Sequence, residues 1–348
     1  MFCIPRIVLF LAFTLSLQAA AACAPIVAPP SPTKSVAAVP ADIPSRNWKM
    51  STVTGEDSSW TKGARLFAER VRERTGGKIN IAVYPNGELA GGDQVKELQM
   101  LQSGDINFTY HSNLLYTNLD HSLAAISLPW MFNDYAQADA ALAGAAGAQL
   151  LKAAEAKGIV GLAFGENGFR QLTNNKLAVR KPDDLRGLKI RIPGVKMYSS
   201  IYNALGANPV AMNFGEALNA LKQGTIDGQE NPIDVIVSSK VYESQKHITM
   251  WNYSYDALIL GISKQDWEGL PQSARDIVKQ AAVEASKEQV RLSREAARTQ
   301  VGLLRDKGMT VTELTPDEIK AFRDKMVPVY AEWTPQIGEA LVQQLQRR

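Results

Sequence analysis

Between residues 187 and 232 the sequence sets an arginine, an aromatic ring and an asparagine where strand-like runs end: Arg191, Phe214 and Asn231. In GLKIRIP (187–193), Leu188, Ile190 and Ile192 alternate to one face, which sends Arg191 to the other face just before Pro193 stops the run. A guanidinium is a rigid fork of N–H donors matched to a carboxylate, and an asparagine amide adds one more donor. Ligands of open parallel sheets sit beyond the carboxyl ends of the strands. The chemistry these types point to is the grip of a small carboxylate, with Phe214 as a wall. Each residue also has a plainer reading: a solvent-facing strand arginine, a core aromatic, a turn asparagine. Arg170, in GENGFRQLTNN (165–175), has the plain reading of a loop charge.

Other chemistries lack their residues. There are 3 histidines and no HExxH, GxSxG or GxxxxGK[ST] pattern. His111 and His121 stand in a Ser/Asn/Leu segment without zinc spacing, and GIVGLAFG (158–165) lacks the dinucleotide spacing. Both cysteines, Cys3 and Cys23, fall in the first 23 residues, so the body carries no thiol and no disulfide. No cofactor and no metal is expected. A net charge of +3 without a basic, aromatic-interleaved patch argues against nucleic acid as a partner.

The elements that must position Arg191 follow from periodicity. Residues 1–23 read as a secretory signal, with one early positive charge, an apolar run and small residues before Cys23. Two readings stay open there: ordinary cleavage after an alanine, or a lipoprotein signal in which Cys23 is acylated. Residues 24–45, rich in Pro and Ala, read as a linker that would hold the body off a membrane. From residue 48 the pattern runs strand, helix, strand, helix, strand, that of a parallel sheet covered by helices. An Ala-rich run over 135–157 reads as one helix, and 165–175 as a crossover loop between two lobes. LQMLQSGDIN (98–107) and LNALKQGTID (218–227) align without a gap, each a helix ending at Gly before an Ile that enters a strand. Residues 271–305 form a helix-compatible run long enough to lie across both lobes.

Together GFRQLTNN (168–175), DLRGLKIRIP (184–193), LGANPVAMNFGEALNALKQGTIDGQENP (205–232) and KVYESQKHIT (240–249) resemble the substrate-binding proteins of tripartite ATP-independent periplasmic (TRAP) transporters, the DctP-type family. TGGKINIAVYPNGELAGG (75–92) adds an early match, and the likeness covers nearly all of 48–327. The resemblance implies an α/β, two-lobed periplasmic binding-protein fold with a hinge and a long helix spanning both lobes. The lobes would comprise 46–167 plus 257–296 and 168–256 plus 297–348. It also implies a periplasmic protein that is not an enzyme, closes on an organic acid and delivers it to TRAP membrane subunits. By position, Arg191 would pair with the ligand carboxylate and Arg170 would be a second arginine. Asn231 would hydrogen-bond the carboxylate or its neighbour, and Phe214 would wall the site. Ser112, with His111 beside it, would make a first-lobe contact. Asn213 stands where a smaller residue is frequent in the family and would shape the pocket. A sensor that reports a bound acid to a receptor, or a periplasmic enzyme acting on a carboxylic acid, could use the same clamp.

Overall fold

A computed structural model describes residues 39–347. The signal, Cys23 and the linker up to residue 38 lie outside the described residues. The end of the linker is already part of the body, since Ile43 is buried in one core with Trp48, Met50 and Phe67.

Two sheets organise the body. The strands are β1 (Arg46–Ser51), β2 (Ile79–Tyr84), β3 (Phe108–Ser112), β4 (Ile159–Phe169), β5 (Gln171–Asn174), β6 (Lys189–Ile192), β7 (Asn208–Ala211), β8 (Gly228–Asn231), β9 (His247–Met250), β10 (Tyr255–Ser263) and β11 (Thr310–Glu313). The first lobe holds the sheet β2-β1-β3-β10-β4 and the second the sheet β11-β9-β5-β8-β6-β7. This is the two-lobed α/β architecture expected. The sheets are not wholly parallel, however. β10 runs antiparallel to both β3 and β4, and β5 antiparallel to both β8 and β9. The chain leaves the first sheet after β4 and returns to it at β10, so β10 re-enters that sheet in the reverse sense.

Local signals set most helix ends. Ser58 caps the helix Ser59–Arg74 by accepting from Thr61 N, and Asp93 caps Gln94–Ser103 by accepting from Val95 N and Lys96 N. The two aligned helix-to-strand joins behave alike. Gly104 (φ 83°) and Gly224 (φ 70°) close their helices in the left-handed region, and Ile106 and Ile226 are buried just after them.

Two expectations change. The Ala-rich run is two helices, Tyr135–Ala143 and Ala145–Ala156, because extended Gly144 (φ −94°, ψ −166°) interrupts it. The supposed crossover loop is strand: β4 runs to Phe169, β5 begins at Gln171, and the chain passes between sheets at Arg170. Its glycines serve packing. A Cβ on Gly165 would lie 1.9 Å from Tyr110 Oη. Gly168, at φ 112°, sits beside an irregularity where Asp256 pairs with Gly168 but Ala257 pairs with Glu166, so Asn167 is the extra residue of a bulge.

The helix Gln272–Asp306 has 35 residues and so spans about 52 Å. Small side chains along one face, among them Ala274, Ala281, Ala285 and Ser293, are buried and let it lie close to its neighbours. It packs on the helix Ser59–Arg74 and β4 of the first lobe, and on the helix Ile233–Ser238 of the second. Gln289 ties it to the first lobe, with Nε2 donating to Ser59 Oγ (2.9 Å) and Glu166 O (2.7 Å).

Candidate functional site

The carboxyl ends of β6 and β8 face a narrow cleft of about 30 Å³ between the lobes. Its second-lobe wall carries Arg170, Arg191, Pro193, Phe214, Asn231 and Val235. Its first-lobe wall brings Trp60, Gln94, Leu114 and Leu115, with Ser112, Asn167 and Asp256 behind them.

Arg191 is the unbalanced charge of the site. It projects from β6 between two buried isoleucines and is only 2% exposed. Its Nε and Nη2 both donate to Met212 O, at 3.0 and 2.7 Å, and its guanidinium carbon lies 5.6 Å from the Phe214 ring centre. Among the described residues no carboxylate forms an ion pair with it. Because Nε and one N–H of Nη2 share one edge, the contact with Met212 leaves the Nη1–Nη2 end of the fork without a protein acceptor. Burial pulls the guanidinium down to about 10, with Arg170 adding to the shift and Glu230 opposing it, so it stays protonated at neutral pH. A buried, unpaired cation is costly unless an anion meets it.

Arg170, 3% exposed, is the opposite case. Its Nε and Nη1 pair with Glu230 and Asp256, and its Nη2 reaches Glu230 Oε1 (2.7 Å), Glu230 O (2.7 Å) and Asn231 Oδ1 (3.0 Å). Burial opposes its charge, but the two carboxylates outweigh burial and hold it well above its ordinary value. The carboxylates are themselves bound further. Tyr253 donates to Glu230 (2.7 Å), while Ser112 and Asn167 donate to Asp256 (2.6 and 2.8 Å). Burial pushes Asp256 up, and Arg170 and these donors pull it back. Arg170 therefore links the two sheets: Glu230 is on β8 of one and Asp256 on β10 of the other.

The lobes also meet at the cleft rim. Ser59 N and Oγ both donate to Asp234, at 3.0 and 2.8 Å, joining the start of one first-lobe helix to a second-lobe helix. Phe214 N donates to Gln94 Oε1 (3.3 Å), and Gln94 N donates to Asn213 Oδ1 (3.4 Å). Burial pushes Asp234 up against the pull of the two Ser59 bonds.

The residues singled out from sequence divide accordingly. Arg191, Phe214, Asn231, Arg170 and Ser112 line the cleft. Phe214 does not end a strand: β7 stops at Ala211, and Phe214 opens the helix Phe214–Gln223. Asn231 spends Oδ1 on Arg170 and one N–H on Gln229 Oε1 (2.6 Å), which leaves one N–H for the cleft. Ser112 donates to Asp256 and accepts from Leu114 N (3.1 Å), so its hydroxyl is spoken for. Asn213 is at the rim, bridging to Gln94 rather than lining the pocket. His111 is fully buried and does not line the cleft; side chains alternate along β3, and its ring turns to Glu97, with Nε2 3.2 Å from Oε2. Sequence reading missed Asp256, Glu230, Asn167 and Gln94. The available signal was an acidic residue inside an otherwise apolar run, YDALILGI (255–262).

Among the described residues no cluster of metal-ligating side chains occurs, and no helix is long and apolar enough to cross a membrane. The family model "DctP: Bacterial extracellular solute-binding protein, family 7" matches residues 50–336. The C4-dicarboxylate-binding periplasmic protein DctP of Rhodobacter capsulatus is 35% identical over 292 residues, covering 83% of this chain and 87% of that protein. A TRAP periplasmic solute binding protein from Ralstonia eutropha, solved with bound (S)-2-acetolactate, is 40% identical with a TM-score of 0.84, covering 86% of this chain and 98% of its own. The sugar acid binding protein of Advenella mimigardefordensis, in complex with galactonate, gives 32% identity and a TM-score of 0.85, covering 88% and 98%.

Proposed function

We propose, since the chain belongs to the DctP family of bacterial extracellular solute-binding proteins, that its cleft captures a small organic acid and presents it to the membrane subunits of a TRAP transporter. The observation that carries this reading is Arg191: buried, protonated, without a carboxylate partner, and with the end of its fork toward the cleft. A carboxylate there would receive two parallel N–H bonds, and Asn231 has one further N–H to give. Phe214 packs over the guanidinium and excludes water from the pair.

The lobes, 46–167 with 257–296 and 168–256 with 297–348, would close as bodies about segments near Arg170 and residues 251–254. A ligand touching both walls favours the shut form through contacts that the open form lacks. The role is that of a carrier and not of an enzyme. Asp256, which lines the cleft, and Glu230, which does not, are held by Arg170 and by hydroxyl, phenol and amide donors, which leaves neither as a base facing a substrate. A thermal-shift screen over organic acids, followed by small-angle scattering, tests this. An acid at a hundred times its Kd adds about 2.7 kcal/mol, a rise in Tm of about 4 °C, and the radius of gyration should fall. An acid that raises Tm without compaction would contradict capture by closure.

The location that fits is the periplasm, with a tether through lipidated Cys23. Family membership and the AAAC run (20–23) support that reading. Cys23→Ser is expected to move the mature protein from the detergent phase to the aqueous phase in a partition assay; unchanged partitioning would remove the tether.

A further inference from the structure

The charges around the cleft fix how many negative charges its ligand can bring. Two arginines reach it, Arg170 and Arg191, and two carboxylates answer them, Glu230 and Asp256. Both carboxylates are fully buried and both fall to Arg170. That arginine has spent its Nε, one N–H of Nη1 and both of Nη2 on the protein. Arg191 alone is unmatched. Arg170 with its two carboxylates sums to −1, and Arg191 is the one cation without a carboxylate partner, so the cleft has one place where a cation can meet a negative charge.

The remaining wall is apolar or already satisfied except at Gln94, whose Oε1 accepts from Phe214 N while its Nε2 has no protein acceptor among the described residues. Leu114 and Leu115 of the first lobe and Val235 and Phe214 of the second line it. Trp60 Nε1 donates to Asn167 Oδ1 (3.2 Å), and Asn167 donates on to Asp256. No lysine, histidine or third arginine lines the wall opposite Arg191. A second ligand carboxylate would leave water facing leucines and a buried Asp256, with no cation to meet it.

We infer that this cleft, on the reading proposed above, takes a small monocarboxylate whose far end is an alkyl group, and discriminates against four-carbon dicarboxylates. The donors left over, on Arg191, Asn231 and Gln94, further select an oxygen acceptor close to the carboxylate, as in a 2-keto or 2-hydroxy acid. Asp256 is a specificity-determining residue in this scheme. Its charge consumes the second half of what Arg170 could offer to a ligand.

Titration calorimetry at fixed pH and salt provides the test. The probes are 2-ketoisovalerate and 2-hydroxyisovalerate on one side, succinate and malate on the other. Wild-type protein is expected to bind at least one of the monocarboxylates about thirtyfold or more tightly than either dicarboxylate, the scale on which an unpaired buried charge discriminates. Asp256→Asn keeps the side chain's shape, releases one charge of Arg170, and is expected to raise the dicarboxylate-to-monocarboxylate affinity ratio at least tenfold. The wild-type comparison stands even if that variant does not fold. Dicarboxylates binding wild type as tightly as the monocarboxylates would overturn the inference while leaving organic-acid capture intact. Failure of all four acids to bind, together with failure of the wider acid screen, would overturn the capture reading and this inference with it.

Discussion

Arg191→Ala is expected to fold normally and to lose at least a hundredfold in affinity for its organic acid by calorimetry. The reason is the asymmetry between making a buried charge pair and breaking one. A carboxylate drawn into the cleft gives up its water, and only the Arg191 fork among the cleft cations has N–H pairs without a protein carboxylate. Removing one partner of such a desolvated pair costs roughly 2–5 kcal/mol, or about thirty to several thousandfold. Arg191→Lys should recover part of the loss, because an ammonium restores the charge but not the two parallel bonds. The ligand-free protein should barely notice either change. Desolvation of the guanidinium is relieved, the bonds to Met212 O are lost, and the two roughly cancel. A variant that bound the acid as well as wild type would show that the carboxylate lies elsewhere.

Arg170→Ala should do the reverse: a large loss of stability, present without any ligand. Two fully buried carboxylates, Glu230 and Asp256, would be left with hydroxyl, phenol and amide donors but no cation. Breaking a buried ion pair from one side costs about 3–5 kcal/mol. For a body of this size that is a fall in Tm of about 5–8 °C. The loss should shrink at low pH, since protonating Asp256 removes its need for a cation and burial already pushes that carboxyl upward. Glu230→Gln and Asp256→Asn combined with Arg170→Met should recover much of the loss, as apolar or neutral replacements of a whole buried ion cluster often do. A ligand-free Tm within 2 °C of wild type in Arg170→Ala would show that Arg170 is a spare ligand contact, not a strut between the two sheets.

The two arginines illustrate what a sequence discloses. Arg191 was legible because its surroundings are local: alternating Leu188, Ile190 and Ile192 set its face, and Pro193 marks the strand end. The role of Arg170 was not, since its partners Glu230 and Asp256 are 60 and 86 residues away and no short-range pattern announces them. The same distinction explains His111. Its neighbour Ser112 reaches the cleft, but adjacent strand residues face opposite ways, and likeness of position alone could not separate them. Helix ends were legible wherever capping chemistry decided them, as at Ser58 and Gly104. Strand direction was not, because β10 owes its reversal to the return of the chain from the other lobe.

The most direct measurement is a crystal structure of the protein with its organic acid bound. The ligand carboxylate should sit about 2.7–2.9 Å from both Nη1 and Nη2 of Arg191, with Asn231 Nδ2 beside it and Arg170 still clasped by Glu230 and Asp256. A carboxylate bound instead to Arg170, with Asp256 or Glu230 displaced and Arg191 left on Met212 O alone, would contradict the account.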